Sequence, residues 1–397
     1  MFFLTCSSNN LFQTLDLGNQ PLANSYTFGD NPLTSYPLAL NTCRDCFHSQ
    51  LSASVKPSFL FSNYLYVSGI SSSLKKYFLN LKNLIIDLYG PQGKILDVGS
   101  NDGTFLSVFE DTDWKCIGVD PAINLVSQAT ERGVLSIASF FNLGLSNFLA
   151  KDFDVVVAMN VFAHTPDPLE MLLAMKEIIK EEGVLLIQTS QANMFEGYQF
   201  DTVYHEHISF FNVKSMKSLL RRAGLHLKDV RITNIHGDSY LWIIGKTAAQ
   251  VQELHRESYE QQTGLFSHEK YENFASKCLE IKERFISLVS QYRNSGFSIA
   301  VYGSAAKGNT FLNLANIEID TIFDDTPLKI GKHSPVQNVE VKNPDEMQFL
   351  PGPYLFIIPA WNFRDEILGK IRKLRTESSG DKYLIYYPGF EIGKIQL

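Results

Sequence analysis

Four consecutive residues, Tyr204-His205-Glu206-His207, place a phenol, a carboxyl and two imidazoles in one short stretch of the chain. Groups of these types move protons near neutral pH when their surroundings tune them. The stretch is a polar island between apolar Val203 and Ile208-Ser209-Phe210-Phe211. If it is extended, side chains alternate, so His205 and His207 share one face and Tyr204 and Glu206 the other; in a turn all four can converge. A second group, Asn160-Val-Phe-Ala-His164-Thr-Pro-Asp167, follows an apolar run and adds Asn160 and His164. One Tyr, one Glu and three His at the ends of predicted strands point to a reacting site that removes a proton and steadies the anion left behind. Two other readings stand beside it. The histidines can simply satisfy local hydrogen bonds. Alternatively, His205 and His207, two apart, join His164 as a facial metal set, although no His-Glu-x-x-His helix is present.

A third segment, Asp97-Val-Gly99-Ser-Asn101-Asp102-Gly103, follows a strand pattern and leads into the helical stretch 104–109. Its glycines let a ligand approach the backbone, and the helix start offers free N–H groups. The two glycines are four apart, out of the dinucleotide register. Asp97 and Asp102 would repel a pyrophosphate but suit a sulfonium and an amino-acid ammonium, which favours S-adenosylmethionine (SAM) over a nicotinamide dinucleotide. Asp120 ends the next strand, where its carboxylate can accept hydrogen bonds from two ribose hydroxyls. Phe140-Phe141 lie where an adenine ring can rest, though two phenylalanines serve equally as core.

The elements that must position these groups follow a regular alternation. Apolar stretches at 94–98, 116–119, 153–159 and 183–188 read as strands. Helical patterns at 74–89, closed by Gly90-Pro91, and at 169–180 lie among them. This is the pattern of βαβ units on a mostly parallel sheet. Segments 225–233 and 239–245, joined across Gly237-Asp238, read as a closing antiparallel pair. Residues 246–294 read as connecting helices, and strand patterns return at 298–302, 319–323, 354–359 and 383–387 as a second α/β domain.

With 397 residues, 45% of them hydrophobic, the chain is long enough for two or three domains. A net charge of −7 offers no basic field for a nucleic-acid backbone. Five cysteines make no disulfide framework, so a cytoplasmic location is expected. No apolar run reaches the roughly eighteen residues of a membrane span. The first ten residues lack a basic n-region and read as a buried strand rather than a signal peptide.

The segments Pro21-Leu-Ala-Asn-Ser-Tyr26, Cys43-Arg-Asp-Cys46 with Gln50-Leu51, Asp97–Leu106, Asn160–Pro168, Tyr204–Phe211 and Tyr302–Thr310 together resemble the sugar C-methyltransferases of deoxysugar pathways. The resemblance implies an α/β architecture in four parts. A small zinc-type module spans 1–70, a class I methyltransferase Rossmann-like domain 71–246, connecting helices 247–294, and a C-terminal Rossmann-like domain that helps hold a nucleotide sugar 295–397. It implies a dTDP-linked 4-keto-6-deoxy sugar as partner, methylated at C3 with SAM. Asp97, Gly99, Asn101, Asp102, Gly103, Asp120 and Asn160 would hold SAM. His207 or Tyr204 would act as base, with Glu206 orienting or relaying; His207 is favoured because imidazole titrates near 6.5 and a phenol near 10. His164 and Asn160 would contact the sugar or its enolate oxygen, Tyr64 and Tyr66 would reach the sugar, and Lys307 and Asn309 would meet the nucleotide. Asp324-Asp325 and Trp361-Asn362 are further candidates for that pocket. The rival activities on the same fold are O- or N-methylation of a nucleotide sugar, or SAM-fold binding without catalysis.

Two positions depart from the family pattern. Its zinc site uses two Cys-x-x-Cys pairs; Cys43 and Cys46 keep the second, but the first reads Cys6-Ser-Ser-Asn9, and an amide is a poor zinc ligand. His48 is the nearest substitute in sequence. In the loop His236-Gly237-Asp238-Ser239, Asp238 stands where a second glycine is usual.

Overall fold

The computed structural model describes residues 3–29, 33–62, 68–70, 72–190, 193–235, 237–248, 255–375 and 380–395. Tyr64, Tyr66 and His236 lie outside the described residues. The chain divides into two compact units: Met1–Phe12, Asn41–Asn193 and Glu206–His268 form the first; Gln13–Leu40, Met194–His205 and Glu269–Leu397 form the second. No helix among the described residues is long and apolar enough to cross a membrane.

The first unit is built on a seven-stranded sheet. Its strands are β1 (Gln92–Val98), β2 (Asp113–Asp120), β3 (Ser136–Ala138), β4 (Phe153–Met159), β5 (Ile179–Ser190), β6 (His226–Thr233) and β7 (Ser239–Gly245). The order is β6-β7-β5-β4-β1-β2-β3. β1 to β5 are mutually parallel, and β7 runs antiparallel to both β5 and β6. The sheet is covered on both faces, so its strands β4, β5 and β7 carry continuous apolar runs. Alternate residues feed different cores. Leu96, Val156, Leu185, Ile187 and Trp242 pack with Leu172, Met175 and Leu219. Ile95, Val155, Val157, Leu186 and Ile243 pack with Phe78, Leu81, Ile85 and Phe105. The helix Ser72–Tyr89 ends where Gly90 turns to a φ of 91°.

The start of the chain differs from expectation. Leu4–Cys6 form a turn, not a strand; Ser7 takes a φ of 59° and its N–H donates to Phe3 O at 2.9 Å. Two tight turns here, Phe3–Ser7 and Cys43–Phe47, bring Cys6, Cys43 and Cys46 together, which an extended segment cannot do. The Arg222 guanidinium donates to Leu4 O, and Asn212 Nδ2 donates to Phe47 O.

In the second unit, β8 (Ser298–Tyr302), β9 (Thr321–Phe323), β10 (Val341–Lys342), β11 (Tyr354–Ile357), β12 (Lys382–Ile385) and β13 (Glu391–Lys394) form a sheet ordered β10-β9-β8-β11-β12-β13. All pairs are parallel except β12 with β13. The helices His255–Gln262 and His268–Asn294 precede it in sequence. β10 and β13 escape the sequence pattern because they are two and four residues long and partly exposed.

The polar helix His255–Gln262 hides one carboxyl. Glu260 is fully buried, where it accepts from Tyr240 Oη at 2.5 Å and from the Val213 N–H at 2.9 Å. Burial pushes its carboxyl up to about 7 from an ordinary 4.5. A raised acid binds its proton more tightly in the folded state, so the stability it contributes is complete at low pH and is lost as pH rises from 4.5 to about 7. We expect urea unfolding to show a stability loss of up to about 3 kcal/mol over that window in the wild type. In Glu260→Gln that loss should largely disappear, and equal slopes in the two proteins would refute it.

Candidate active site

β1 and β2 end side by side, and their last residues make the first part of the site. The Gly99 N–H donates to Val119 O at 2.7 Å, which bends the chain from β1 back over β2. Gly99 takes a φ of 73°, and a Cβ there would lie 2.1 Å from Val161 Cγ2. Asp120 then receives two backbone N–H groups, Asn101 N on Oδ2 at 2.9 Å and Ala122 N on Oδ1 at 2.8 Å. Asn101 and Gly103 are also left-handed, with φ of 52° and 75°.

Asp97 is buried, and its Oδ1 has no hydrogen-bond partner. Burial first, and the neighbouring Asp120 charge second, push its carboxyl well above the usual range. Burial also raises Asp120, against the two N–H bonds that lower it. Neither of these two buried carboxylates has an ion pair among the described residues, so a cation beside them would be stabilised. That fits the ammonium and sulfonium of SAM.

Asp102 does something else. Its carboxylate pairs with Arg132 Nη1 at 2.5 Å and accepts from Thr104 Oγ1 at 2.7 Å. It is therefore engaged in holding the loop, and the charge complementarity to a cation rests on Asp97 and Asp120. Arg132 carries no motif that would have flagged it. A second contributor outside the sequence reading is Ser68–Ile70: the Ser68 N–H donates to Asn101 Oδ1 at 3.0 Å, and a Cβ on Gly69 would lie 2.6 Å from Asp102 Oδ2. After β3, Phe140 is 37% exposed, whereas Phe141 packs on the core.

β4 ends at Met159, and Asn160 follows with a φ of 57°. Its N–H donates to Gln188 O at 3.0 Å, and its buried Oδ1 has no partner. The next turn carries His164, whose ring stacks on Phe61 at 5.5 Å and 8° and lies 5.1 Å from the His207 ring. Burial holds the His164 imidazole down, to about 4, so it is neutral at physiological pH. His207 is buried and also meets Phe210 edge-on at 6.3 Å. The Tyr204–His207 segment is a turn, not a strand. Asn101, Asp97, Asp120, Asn160, His164, Glu206 and His207 all belong to the first unit; Tyr204 and His205 are grouped with the second. His205 Nε2 lies 3.3 Å from Tyr36 O. The only group of three or more metal-ligating side chains found among the described residues is Cys6, Cys43 and Cys46, so no His164-His205-His207 set forms there.

In the second unit the loop after β8 repeats the pattern. The Gly303 N–H donates to Phe323 O at 2.8 Å, the Ser304 N–H to Asp324 Oδ2 at 2.8 Å and the Thr326 N–H to Asp324 Oδ1 at 2.8 Å. Here, however, Lys329 Nζ sits 3.0 Å from Asp324 Oδ2. Asn309 is buried: its Nδ2 donates to Ala23 O and Tyr26 Oη, and its Oδ1 accepts from Ser304 Oγ. Lys307 loses water on folding, which lowers its ammonium, while the buried Asp201 charge acts the other way.

Three family models match in tandem: "Putative zinc binding domain" over 4–61, "Methyltransferase domain" over 73–230 and "C-methyltransferase C-terminal domain" over 234–388. C-methyltransferase NovU of Streptomyces niveus is 27% identical over 96% of this chain and 94% of its own. The chain is a SAM-dependent methyltransferase, similar along nearly its whole length to a C-methyltransferase. Other relatives of this methyltransferase match less of it. A tRNA U34 carboxymethyltransferase of Campylobacter lari is 28% identical over 25% of this chain and 36% of its own. Among solved structures, a SAM-dependent methyltransferase from Thermotoga maritima covers 44% of this chain and 91% of its own, at 20% identity and a TM-score of 0.35.

The paired carboxylates carry a direct consequence for SAM binding. An arriving cation favours ionised Asp97, so binding should release a proton and tighten as pH rises. Titration calorimetry in buffers of different ionisation enthalpy measures the release. We expect it to vanish in Asp97→Asn; proton uptake by the wild type would contradict the assignment.

Proposed function

We propose that this methyltransferase transfers the methyl group of SAM to C3 of a nucleotide-linked 4-keto-6-deoxy sugar, with His207 as the general base. The observation that carries the reading is the His164–His207 ring contact, in the same unit as the Asp97–Asp120 carboxylate pair. A carbon nucleophile must be made by removing a proton next to a ketone, which demands a base and a partner for the enolate oxygen.

A ring such as His164, neutral above about pH 4, brings no repelling charge to a neighbouring imidazole that accepts a proton. His207 takes the C3 proton, and the C–H electron pair becomes the enolate double bond. His164 donates to the enolate oxygen, with Asn160 beside the sugar. The enolate carbon then forms its bond to the methyl group as the carbon–sulfur bond breaks, leaving S-adenosylhomocysteine. Glu206 orients the base, and Tyr204 is the alternative proton acceptor. Lys307, stripped of water, meets a phosphate of the nucleotide. Asn309 acts through the loop it ties rather than by touching the sugar. The reading is supported by similarity to a C-methyltransferase along nearly the whole chain rather than along the SAM-binding domain alone.

In deuterated water without SAM, the enzyme should introduce solvent deuterium at C3 of a dTDP-4-keto-6-deoxy sugar. Absence of exchange, with methyl transfer to oxygen or nitrogen instead, would replace this reading. His207→Ala should lower kcat by about 10²–10⁴-fold while leaving SAM affinity unchanged. Near-normal turnover in that variant would move the base to Tyr204, for which Tyr204→Phe is the measurement.

A further inference from the structure

Cys6, Cys43 and Cys46 present three sulfur atoms within 4.8 Å of one another. Cys6 Sγ is 3.6 Å from Cys43 Sγ and 3.3 Å from Cys46 Sγ. Thiolates at three corners of a zinc tetrahedron, each about 2.3 Å from the metal, are separated by roughly 3.8 Å, so these residues fit the ion. The Asp45 N–H points at Cys43 Sγ at 3.4 Å, a contact that favours thiolate.

The fourth corner is different. Asn9, standing where the family pattern has its fourth cysteine, is exposed. Its neighbours are tied down: Ser8 Oγ donates to Asp45 Oδ2 at 2.5 Å and Asn10 Nδ2 to Asp45 Oδ1 at 3.2 Å. The backbone is thus held beside the cluster without supplying a sulfur. His48 is the nearest imidazole in sequence. It is fully buried, neither ring nitrogen has a hydrogen-bond partner, and it packs against Phe3 and Phe211. It stays outside the three-cysteine group. Cys6, by contrast, is only half-buried, so solvent reaches the cluster from its side.

We propose that Cys6, Cys43 and Cys46 hold zinc as a three-thiolate site whose fourth coordination place is open to an exogenous small ligand, a thiol or an imidazole. Structural zinc sites close all four places with protein ligands, whereas three protein ligands plus an exchangeable one is the pattern of an accessible zinc. The inference rests on zinc occupying the cluster, and the first measurement tests that alone.

The full-length protein is purified and its zinc counted; about one ion per chain is expected, and none would overturn the proposal. Zinc is then exchanged for cobalt, and the visible spectrum is recorded while imidazole or 2-mercaptoethanol is added. An open place predicts a saturable shift of the cobalt bands with each ligand. A spectrum indifferent to both ligands means that a protein group fills the fourth corner, and the proposal falls. His48→Gln separates the cases: the titration should be unchanged if the place is open, and a shift that appears only in that variant would identify His48 as the ligand. Asn9→Cys should abolish the shift by closing the site, and it retains a metal readout even if His48→Gln folds poorly.

Discussion

At the junction of β1 and β2, the carboxylate of Asp120 accepts one backbone N–H on each oxygen, from Asn101 and from Ala122. That double acceptance fixes the path of the loop across the top of the sheet. Left-handed backbone at Gly99, Asn101 and Gly103 persists because the carboxylate and the strand end hold it from both sides. The same residue lies near buried Asp97 at the end of the neighbouring strand, and its charge raises the Asp97 carboxyl. Like charges buried together are costly unless a cation offsets them. The rest of the first unit supports this junction: the two cores on either face of the sheet, Arg132 on Asp102, and Ser68 against the loop.

The second unit uses the same geometry for a different end. Gly303, Ser304 and Asp324 reproduce the hydrogen bonds of Gly99, Asn101 and Asp120. In one case no cation among the described residues pairs with the carboxylate. In the other, Lys329 neutralises it and also donates to Ser304 O. One lysine thus turns a ligand-facing acid into an internal clamp, and Asn309 and Tyr26 tighten that clamp further. The two loops thus share backbone hydrogen bonds and differ in the charge left after internal pairing.

Local sequence carried much of the fold. The strand at 153–159 and the closing strand at 239–245 were readable residue for residue, because apolar runs on a sheet covered from both sides have no other stable place. β3, β10 and β13 are too short, or too exposed, to leave such a run. Glu260 was unreadable for the opposite reason: it sits in a polar helix, and nothing local says that its carboxyl meets Tyr240 and Val213.

By itself the sequence determined the βαβ order, the acidic glycine loop with Asp120 in register, and the cysteine pair at 43 and 46, since each depends on spacing along the chain. Tertiary structure alone decided which of these groups remain available. Asp97 keeps a bare oxygen while Asp102 is taken by Arg132, thirty residues away. His164 loses its charge to burial against Phe61 and meets His207. Asn309 is withdrawn into the clamp. Charge, hydration and reach depend on neighbours that converge from distant segments, and no local pattern encodes that convergence.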